Sequence, residues 1–202
     1  MLTKLDELYL PDHWYLDRSD ECYFCGEYTA GAGFAHSATN QLILNLKKKM
    51  DRRGQPDWKY KGYAIRAAAN NLRESIADEF LTSATFVPVP PSKIAGDPEY
   101  DDRMTQVARL LGPEVDVREV VFQSQNMQDA HTAANRPGPD QLYANYEIEE
   151  SLVEPVPLQI AVVDDVLTTG AHFKAMKRIL DEAFPDAHIV GIFLARRVPG
   201  TE

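Results

Sequence analysis

The residues best suited to chemistry lie between Ile160 and His172. Two adjacent carboxylates, Asp164 and Asp165, follow an apolar run, and a hydroxyl-bearing turn ending in Gly170 comes next. Glycine permits a positive φ or a close backbone approach, and the N–H groups of a turn at a helix N-terminus bind phosphate. Ionised carboxylates only accept hydrogen bonds, so they suit the hydroxyls of a ribose. The turn and the acids together predict a ribose 5-phosphate site.

The predicted binding loop continues through the hydroxyls into the start of the next helix. We expect it to comprise Val166, Leu167, Thr168, Thr169, Gly170, Ala171 and His172. A simpler interpretation is that the acidic pair caps the helix and lies in solvent. A cap needs only one such residue, and adjacent like charges at the end of a buried strand are costly unless something pairs with them. We therefore expect both acids to contact a bound ribose, which makes Asp164 and Asp165 candidate catalytic residues.

A second stretch joins a short apolar strand to a rigid turn. The run from Phe86 to Val89 favours a buried strand, and prolines within and after it stiffen its end. Pro91 and Ser92 are predicted to contact a diphosphate, and the ammonium of Lys93 to supply a catalytic counter-charge. An ordinary proline-rich loop is the alternative. The acidic motif downstream favours the diphosphate interpretation, since it would supply the other half of the same site.

The two cysteines of the chain are Cys22 and Cys25, spaced as in a zinc knuckle and followed by glycine. One such pair supplies two ligands, whereas a closed structural Zn²⁺ site needs four. His13 and His36 are the nearest further candidates. A reduced pair without a role and a redox pair stay open as alternatives, although the surroundings do not resemble a thioredoxin-like strand and helix.

Hydrophobic periodicity predicts the elements that position these groups. Residues 160–163 form an apolar run that favours a strand buried on both faces. After it, helical spacing places four large apolar side chains on one face: Phe173, Met176, Leu180 and Phe184. With helices over 37–50 and 60–80 and a strand over 188–195, we expect an α/β fold with a mostly parallel sheet flanked by helices. We assign residues 1–80 to an N-terminal knuckle and helical segment and residues 81–202 to the α/β core.

Composition and charge exclude several classes of protein. Asp and Glu outnumber Lys and Arg by 31 to 21, for a net charge of −10. Nucleic acid is therefore not an expected partner, because binding to it depends on neutralising phosphates. No apolar run approaches the ~18 residues that indicate a membrane span. The N-terminus is charged too early for a secretion signal, so we expect a cytoplasmic protein without membrane contact.

The acidic motif resembles the phosphoribosyl pyrophosphate loop of the type I phosphoribosyltransferases. That pattern is apolar, apolar, acid, Asp, two variable residues, Thr, Thr and Gly, and Val162 to Gly170 matches it. The family usually has a Thr or Ser two residues after the glycine, where this chain has His172. The resemblance implies binding of phosphoribosyl pyrophosphate with Mg²⁺ and transfer of phosphoribose to or from a nitrogenous acceptor. It also implies a mobile loop within residues 123–146, in which Arg136 would contact the pyrophosphate on closure.

A closer resemblance is to ComF-like, competence-associated proteins. Their features have counterparts here in Cys22 and Cys25, Leu46-Lys47, Val87 to Ser92, Arg136, Asn145-Tyr146 and Asp164 to Gly170. The second cysteine pair of those proteins is absent, and Asp102 to Gln106 only loosely matches their Arg-Gly-Phe-Asn segment. Members of the wider family often form homodimers, so a homodimer is a possible assembly.

Two other functions are compatible with parts of the sequence. A non-catalytic regulator that binds phosphoribosyl pyrophosphate or a nucleotide would need the same loop, and the substituted His172 favours it. A phosphoreceiver domain also has a strand that ends in Asp-Asp. In such a domain the pair lies near the start, whereas Asp164 and Asp165 lie near the end of this chain, which excludes that reading.

Overall fold

The computed structural model describes residues 1–127 and 137–199. Its strands are β1 (Thr3–Lys4), β2 (Cys22–Thr29), β3 (Thr85–Pro88), β4 (Asp116–Val117), β5 (Val121–Gln123), β6 (Tyr146–Ile148), β7 (Gln159–Leu167) and β8 (His188–Val198). Its α-helices are α1 (Ala38–Leu46), α2 (Lys59–Ser75), α3 (Asp78–Ser83), α4 (Arg103–Arg109), α5 (Pro139–Tyr143) and α6 (Ala171–Ala183). Short 3₁₀ turns cover Leu10–Asp12, Met50–Arg52 and Glu150–Leu152.

A six-stranded sheet in the order β1-β2-β8-β7-β3-β4 forms the centre of the fold. Strand β1 is antiparallel to β2, and every other neighbouring pair in this sheet is parallel. Strands β5 and β6 form a separate antiparallel pair. The predicted α/β class with a mostly parallel sheet flanked by helices is confirmed.

The alternation of side chains along β7 divides the core into two layers. Ile160 and Val162 point to the layer that contains α6, where the four predicted apolar residues of that helix are buried. Ala161 and Val163 point to the opposite layer, which contains α1, α2 and α4. Because successive residues of a strand face opposite sides, the side chains of Asp164 and Asp165 in β7 point to different layers of helices.

The N-terminal region contributes to the central sheet. Strand β1 pairs with β2, and β2 pairs with β8 next to the strand that carries the acidic pair. The predicted boundary at residue 80 therefore does not separate an appendage from the sheet. None of the helices in residues 1–127 and 137–199 has the length and apolar character of a membrane span.

Several predicted boundaries are corrected by local geometry. Ser37 caps α1 as predicted, accepting a hydrogen bond from the Asn40 amide at 3.0 Å, but the helix ends at Leu46 and not at residue 50. The helix predicted over 60–80 is two helices, because Ile76 and Ala77 adopt extended backbone angles. Strand β7 continues to Leu167 and so contains the acidic pair, which the sequence pattern placed after the strand.

Candidate functional site

A cavity of about 300 Å³ lies where β3 and β7 end, between the Pro-rich turn and the start of α6. Ligands of open parallel sheets bind beyond the carboxyl ends of the strands. The predicted site residues that line the cavity are Pro91, Ser92, Asp164, Asp165, Val166, Thr168, Thr169, Ala171 and His172. The structure thus brings both informative sequence stretches to one place.

The turn before α6 adopts the conformation that only glycine takes readily. Gly170 has φ +87° and lies at the N-cap of the helix. A Cβ at this position would lie 2.5 Å from Cγ of Leu16, which packs against the glycine from the N-terminal segment. Gly170 does not line the cavity, and the Leu167 side chain is buried in the core at 2% exposure. Gly170 therefore shapes the turn and can offer a ligand only its backbone, and the Leu167 side chain faces the core.

The carbonyl groups of the same turn accept hydrogen bonds from the N-terminal segment. The Thr168 carbonyl accepts a hydrogen bond from Nδ1 of His13, and the Thr169 carbonyl accepts one from the Tyr15 amide at 3.0 Å. Burial lowers the pKa of His13, which keeps the ring neutral. We call residues 13–16 the N-terminal brace. It satisfies the acceptors of the turn without using its donors.

The amides of the turn are left for a ligand. Among the described residues, no backbone acceptor pairs with the N–H groups of Thr168, Thr169 or Gly170. The Ala171 amide donates to Thr169 Oγ1 at 3.4 Å, and the next two amides of α6 have no partner within the helix. With the partial positive charge of the helix N-terminus, these donors form an anion site beside the hydroxyl of Thr168, which is partly exposed in the cavity.

Asp165 is an ion-paired residue at the base of the cavity. It is 2% exposed, and its Oδ1 accepts a hydrogen bond from Lys47 Nζ at 2.7 Å. Its Oδ2 accepts two from Arg103, at 2.8 Å from Nε and 2.6 Å from Nη2. Burial favours the neutral acid, yet Lys47 and Arg103 outweigh it and hold the pKa of Asp165 below its usual range. Both carboxylate oxygens are ion-paired, Oδ2 with two donors and Oδ1 with one, so only Oδ1 retains acceptor capacity for a ribose hydroxyl.

Asp164 is in a different electrostatic state. Its side chain is half-buried, and its Oδ1 accepts a hydrogen bond from the Asp165 amide at 2.7 Å. Burial and the neighbouring charge of Asp165 raise the pKa of Asp164. It has no ion pair in the described part of the chain, so it is the carboxylate of the motif that a ligand hydroxyl can reach directly.

A largely buried network at the wall of the cavity supports the two cations. Lys61 is 3% exposed and donates to the Leu46 carbonyl at 2.6 Å and to Asp101 Oδ2 at 2.8 Å. Asp101 also accepts from Arg103 at 2.8 Å. Lys61 thereby fixes the end of α1, which precedes Lys47, relative to the start of α4, which carries Arg103. Sequence reasoning did not assign a role to Lys61 or Asp101.

Carboxylates outnumber cations around the cavity. Its walls include Glu99, Asp101, Asp102 and the acidic pair, against Lys47 and Arg103. A polyanionic ligand would be repelled by this lining unless divalent cations accompanied it. No cluster of three or more His, Cys, Asp or Glu within residues 1–127 and 137–199 could hold a metal by itself.

The Pro-rich turn presents Ser92 to this cavity but directs Lys93 elsewhere. The Lys93 ammonium lies 3.4 Å from the Met127 carbonyl and 3.9 Å from Glu99. Its side chain lines a neighbouring cavity of about 320 Å³ on the far side of Pro90 and Pro91. Lys93 therefore does not line the cavity of the acidic pair, and its predicted contact with a diphosphate stays a prediction.

The predicted zinc ligands do not converge. Cys22 and Cys25 lie in strand β2 and not in a knuckle, and the period of two along a strand sends them to opposite core layers. Burial raises the pKa of both thiols, which disfavours the metal-binding thiolate. His13 is engaged with Thr168, and His36 is exposed in the loop before α1. Arg136, the predicted loop contact, lies outside the described residues.

Comparison with known proteins yields a structural likeness but no sequence match. No family model matches the chain, and no curated protein matches it in sequence. Among solved structures, the chain is similar to the crystal structure of a hypoxanthine phosphoribosyltransferase from Staphylococcus aureus. The TM-score is 0.40 at 10% sequence identity, and the match covers 67% of this chain and 73% of that chain.

Proposed function

We propose that this chain binds phosphoribosyl pyrophosphate with Mg²⁺ and transfers the phosphoribosyl group to or from a nitrogenous acceptor. The observation that carries the proposal is the turn from Thr168 to Gly170. Its carbonyls are held by the N-terminal brace, and its amides open a long helix. It shares one cavity with two carboxylates and a rigid Pro-Ser turn.

Each group has a role that its chemistry allows. The amides of the turn and the Thr168 hydroxyl would bind the 5-phosphate, and Asp164 would accept hydrogen bonds from ribose hydroxyls. Arg103 and Lys47 are the cations nearest the acidic pair, and they would balance pyrophosphate charge. The acceptor nitrogen forms a bond to the anomeric carbon as the bond from that carbon to pyrophosphate oxygen breaks. The protein contributes positioning and fixed charges to this step.

The residues present fit Mg²⁺ that arrives with its substrate. Mg²⁺ keeps several waters and is held by one or two carboxylates together with substrate phosphates. Asp164 is a carboxylate without an ion pair in the described structure, and the acidic lining would attract the cation. When bound, Mg²⁺ would neutralise pyrophosphate charge and so favour its departure.

A second candidate function is binding without turnover, as in a regulator that acts through a partner. Asp165 favours it, because both of its oxygens are held by cations. Lys93 favours it as well, since it lines the neighbouring cavity and not the one that contains the acidic pair. A chain with one acid of the pair engaged by cations could retain the ligand without assembling a reacting centre.

Calorimetric titration of phosphoribosyl pyrophosphate, with and without Mg²⁺, tests the proposal. We expect saturable binding that requires Mg²⁺ and is lost in Asp164→Asn and in the double variant Thr168→Ala/Thr169→Ala. Asp140→Asn is the control, because Asp140 is exposed on α5 and pairs with Arg178. Pyrophosphate release with a panel of nitrogen acceptors then separates transfer from binding alone. Absence of binding to the wild-type chain would contradict both candidates.

A further inference from the structure

His172 and Tyr146 form a hydrogen-bonded pair beside the phosphate turn. The Tyr146 hydroxyl lies 2.9 Å from Nδ1 of His172. His172 is the second residue of α6 and lines the cavity, whereas Tyr146 opens β6 and packs in the core at 5% exposure. The tyrosine therefore lies behind the imidazole as seen from the cavity.

The direction of this hydrogen bond follows from which of the two groups carries a proton at neutral pH. Burial lowers the pKa of His172 to about 4 and raises the pKa of Tyr146. At neutral pH the imidazole is thus neutral and the phenol keeps its proton. His172 Nδ1 is the one acceptor that the described residues offer to that proton. If Nδ1 carried the hydrogen, the buried hydroxyl would donate to nothing, which is costly. The tyrosine therefore donates, and the imidazole proton resides on Nε2.

The Nε2–H group is available to a ligand. Within the described ranges it has no hydrogen-bond partner, and it is not among the buried side-chain atoms that lack one. It is therefore accessible from the cavity, whose wall also includes Thr168 and Thr169. A neutral N–H at this point is a donor to an anion bound by the turn.

We propose that Tyr146 is a positioning residue that fixes His172 as its Nε2–H tautomer, so that His172 donates to the phosphate bound at the Thr168–Gly170 turn. The inference rests on the proposed function only in placing a phosphate at that turn. It assigns a role to a tyrosine that lies 26 residues before its partner in the chain. It also explains how an uncharged imidazole can donate a hydrogen bond to a phosphate.

Nitrogen NMR of protein labelled at histidine tests the tautomer directly. The chain has five histidines, so the resonances are assigned with His172→Ala. In the wild-type protein we expect an unprotonated Nδ1 and a protonated Nε2, and we expect inorganic phosphate and ribose 5-phosphate to shift the Nε2–H signal. Tyr146→Phe should give a mixture of tautomers. A wild-type His172 protonated on Nδ1 would overturn the proposal.

Binding of ribose 5-phosphate provides the second readout. Loss of one neutral hydrogen bond corresponds to about two- to tenfold weaker binding in Tyr146→Phe. Tyr143→Phe is the matched control and should bind normally, because that hydroxyl donates to Glu182 on the outer side of α6. Tyr146→Phe should cause no further loss in a His172→Ala background. An equal loss in both backgrounds would mean that Tyr146 acts through the fold and not through His172.

The two proposals fail in different ways. If ribose 5-phosphate binds with these effects but phosphoribosyl pyrophosphate with Mg²⁺ does not, the transferase proposal fails and the positioning role stands. If phosphoribosyl pyrophosphate binds and the Nε2–H signal does not respond to any phosphate, the positioning role alone is overturned. Absence of phosphate binding of every kind overturns both.

Discussion

The turn from Thr168 to Gly170 and the acidic pair just before it line the same cavity, yet they satisfy their polar groups in different ways. The turn is held by neutral hydrogen bonds from the N-terminal brace, which occupy its carbonyls and leave its amides unpaired. Asp165 of the acidic pair is held by charge, since Lys47 and Arg103 pair with its two oxygens.

This difference predicts two kinds of binding behaviour in one site. A phosphate can enter the turn without displacing any protein group, so that end is preorganised. At the other end a ribose hydroxyl can reach Asp164 directly, but an anion that approaches Lys47 or Arg103 competes with their ion pairs to Asp165, so binding there exchanges partners. The energy of that exchange depends on how firmly Lys61 and Asp101 hold the cations in place.

Replacement of Arg103 should have the largest effect on stability. Arg103→Met removes a partner from a buried carboxylate, and we expect the free energy of unfolding to fall by about 3 kcal/mol. Chemical denaturation measures this directly. Arg109→Met on the same helix is the control, because its pair with Glu119 is exposed and should contribute less than about 1 kcal/mol.

The double variant Arg103→Met/Asp165→Asn sharpens the same test. It removes the carboxylate together with its cation, so it should be more stable than Arg103→Met alone. If Arg103→Met lowered the free energy of unfolding no more than Arg109→Met does, the ion pairs of Asp165 would contribute little to stability. The acidic end of the cavity would then not be held by charge.

Alanine at Gly170 should have the next largest effect, because it breaks the preorganised end. Gly170→Ala forces a side chain to φ +87° and against Leu16. We expect a loss of about 2 kcal/mol, of which about half comes from the backbone angle and the rest from the contact. Phosphate binding should weaken at the same time, since the turn amides would move.

Gly54→Ala is a matched control for that variant. Gly54 has φ +86°, and a Cβ added there would meet no atom within 4 Å, so this variant isolates the cost of the angle. Measured against Leu16→Ala alone, which itself costs about 2 kcal/mol or more as a core truncation, adding Gly170→Ala should cost only the backbone-angle contribution. Equal losses in the two glycine variants would show that Leu16 does not brace the turn.

The parts of the site that the sequence predicted are those encoded by short-range patterns. Helical spacing identified the buried face of α6, and the order of acid, hydroxyl and glycine identified the turn. The ion pairs that sequence reasoning missed act over long separations. Lys47 lies 118 residues from Asp165 and Arg103 lies 62 residues away, and no periodicity connects them.

The knuckle predicted at Cys22 and Cys25 is wrong for a reason that the neighbouring residues already indicate. Cys-x-x-Cys fits a knuckle, but residues 22–29 are also rich in aromatic side chains that favour a strand. Cys22 and Phe24 alternate with Tyr23 and Cys25, the pattern of a strand buried on both faces. The terminal segment was harder to place, because the brace contacts at His13 and Tyr15 depend on a turn more than 150 residues away.

The last effect we expect is a change in how stability depends on pH, and it tests the phosphate end separately from the acidic end. His172 has a pKa of about 4 in the folded protein because of burial, against about 6.5 in an unfolded chain. Between these values the unfolded chain binds the extra proton, so the free energy of unfolding falls as pH decreases through this window. The contribution is at most about 1.4 kcal/mol per pH unit.

His172→Gln should make this dependence shallower between about pH 6.5 and 4. The raised pKa of Asp164 acts in the opposite direction, and the lowered pKa of Asp165 acts at more acidic pH, but both groups remain in the variant and cancel in the difference. His36→Gln is the control, since His36 is exposed. Denaturation midpoints across the window measure the slopes. If His172→Gln and His36→Gln gave the same slope of stability against pH, the surroundings would not hold the His172 imidazole neutral. The phosphate end would then carry a cation that titrates, whereas the acidic end carries the permanent charges of Lys47 and Arg103.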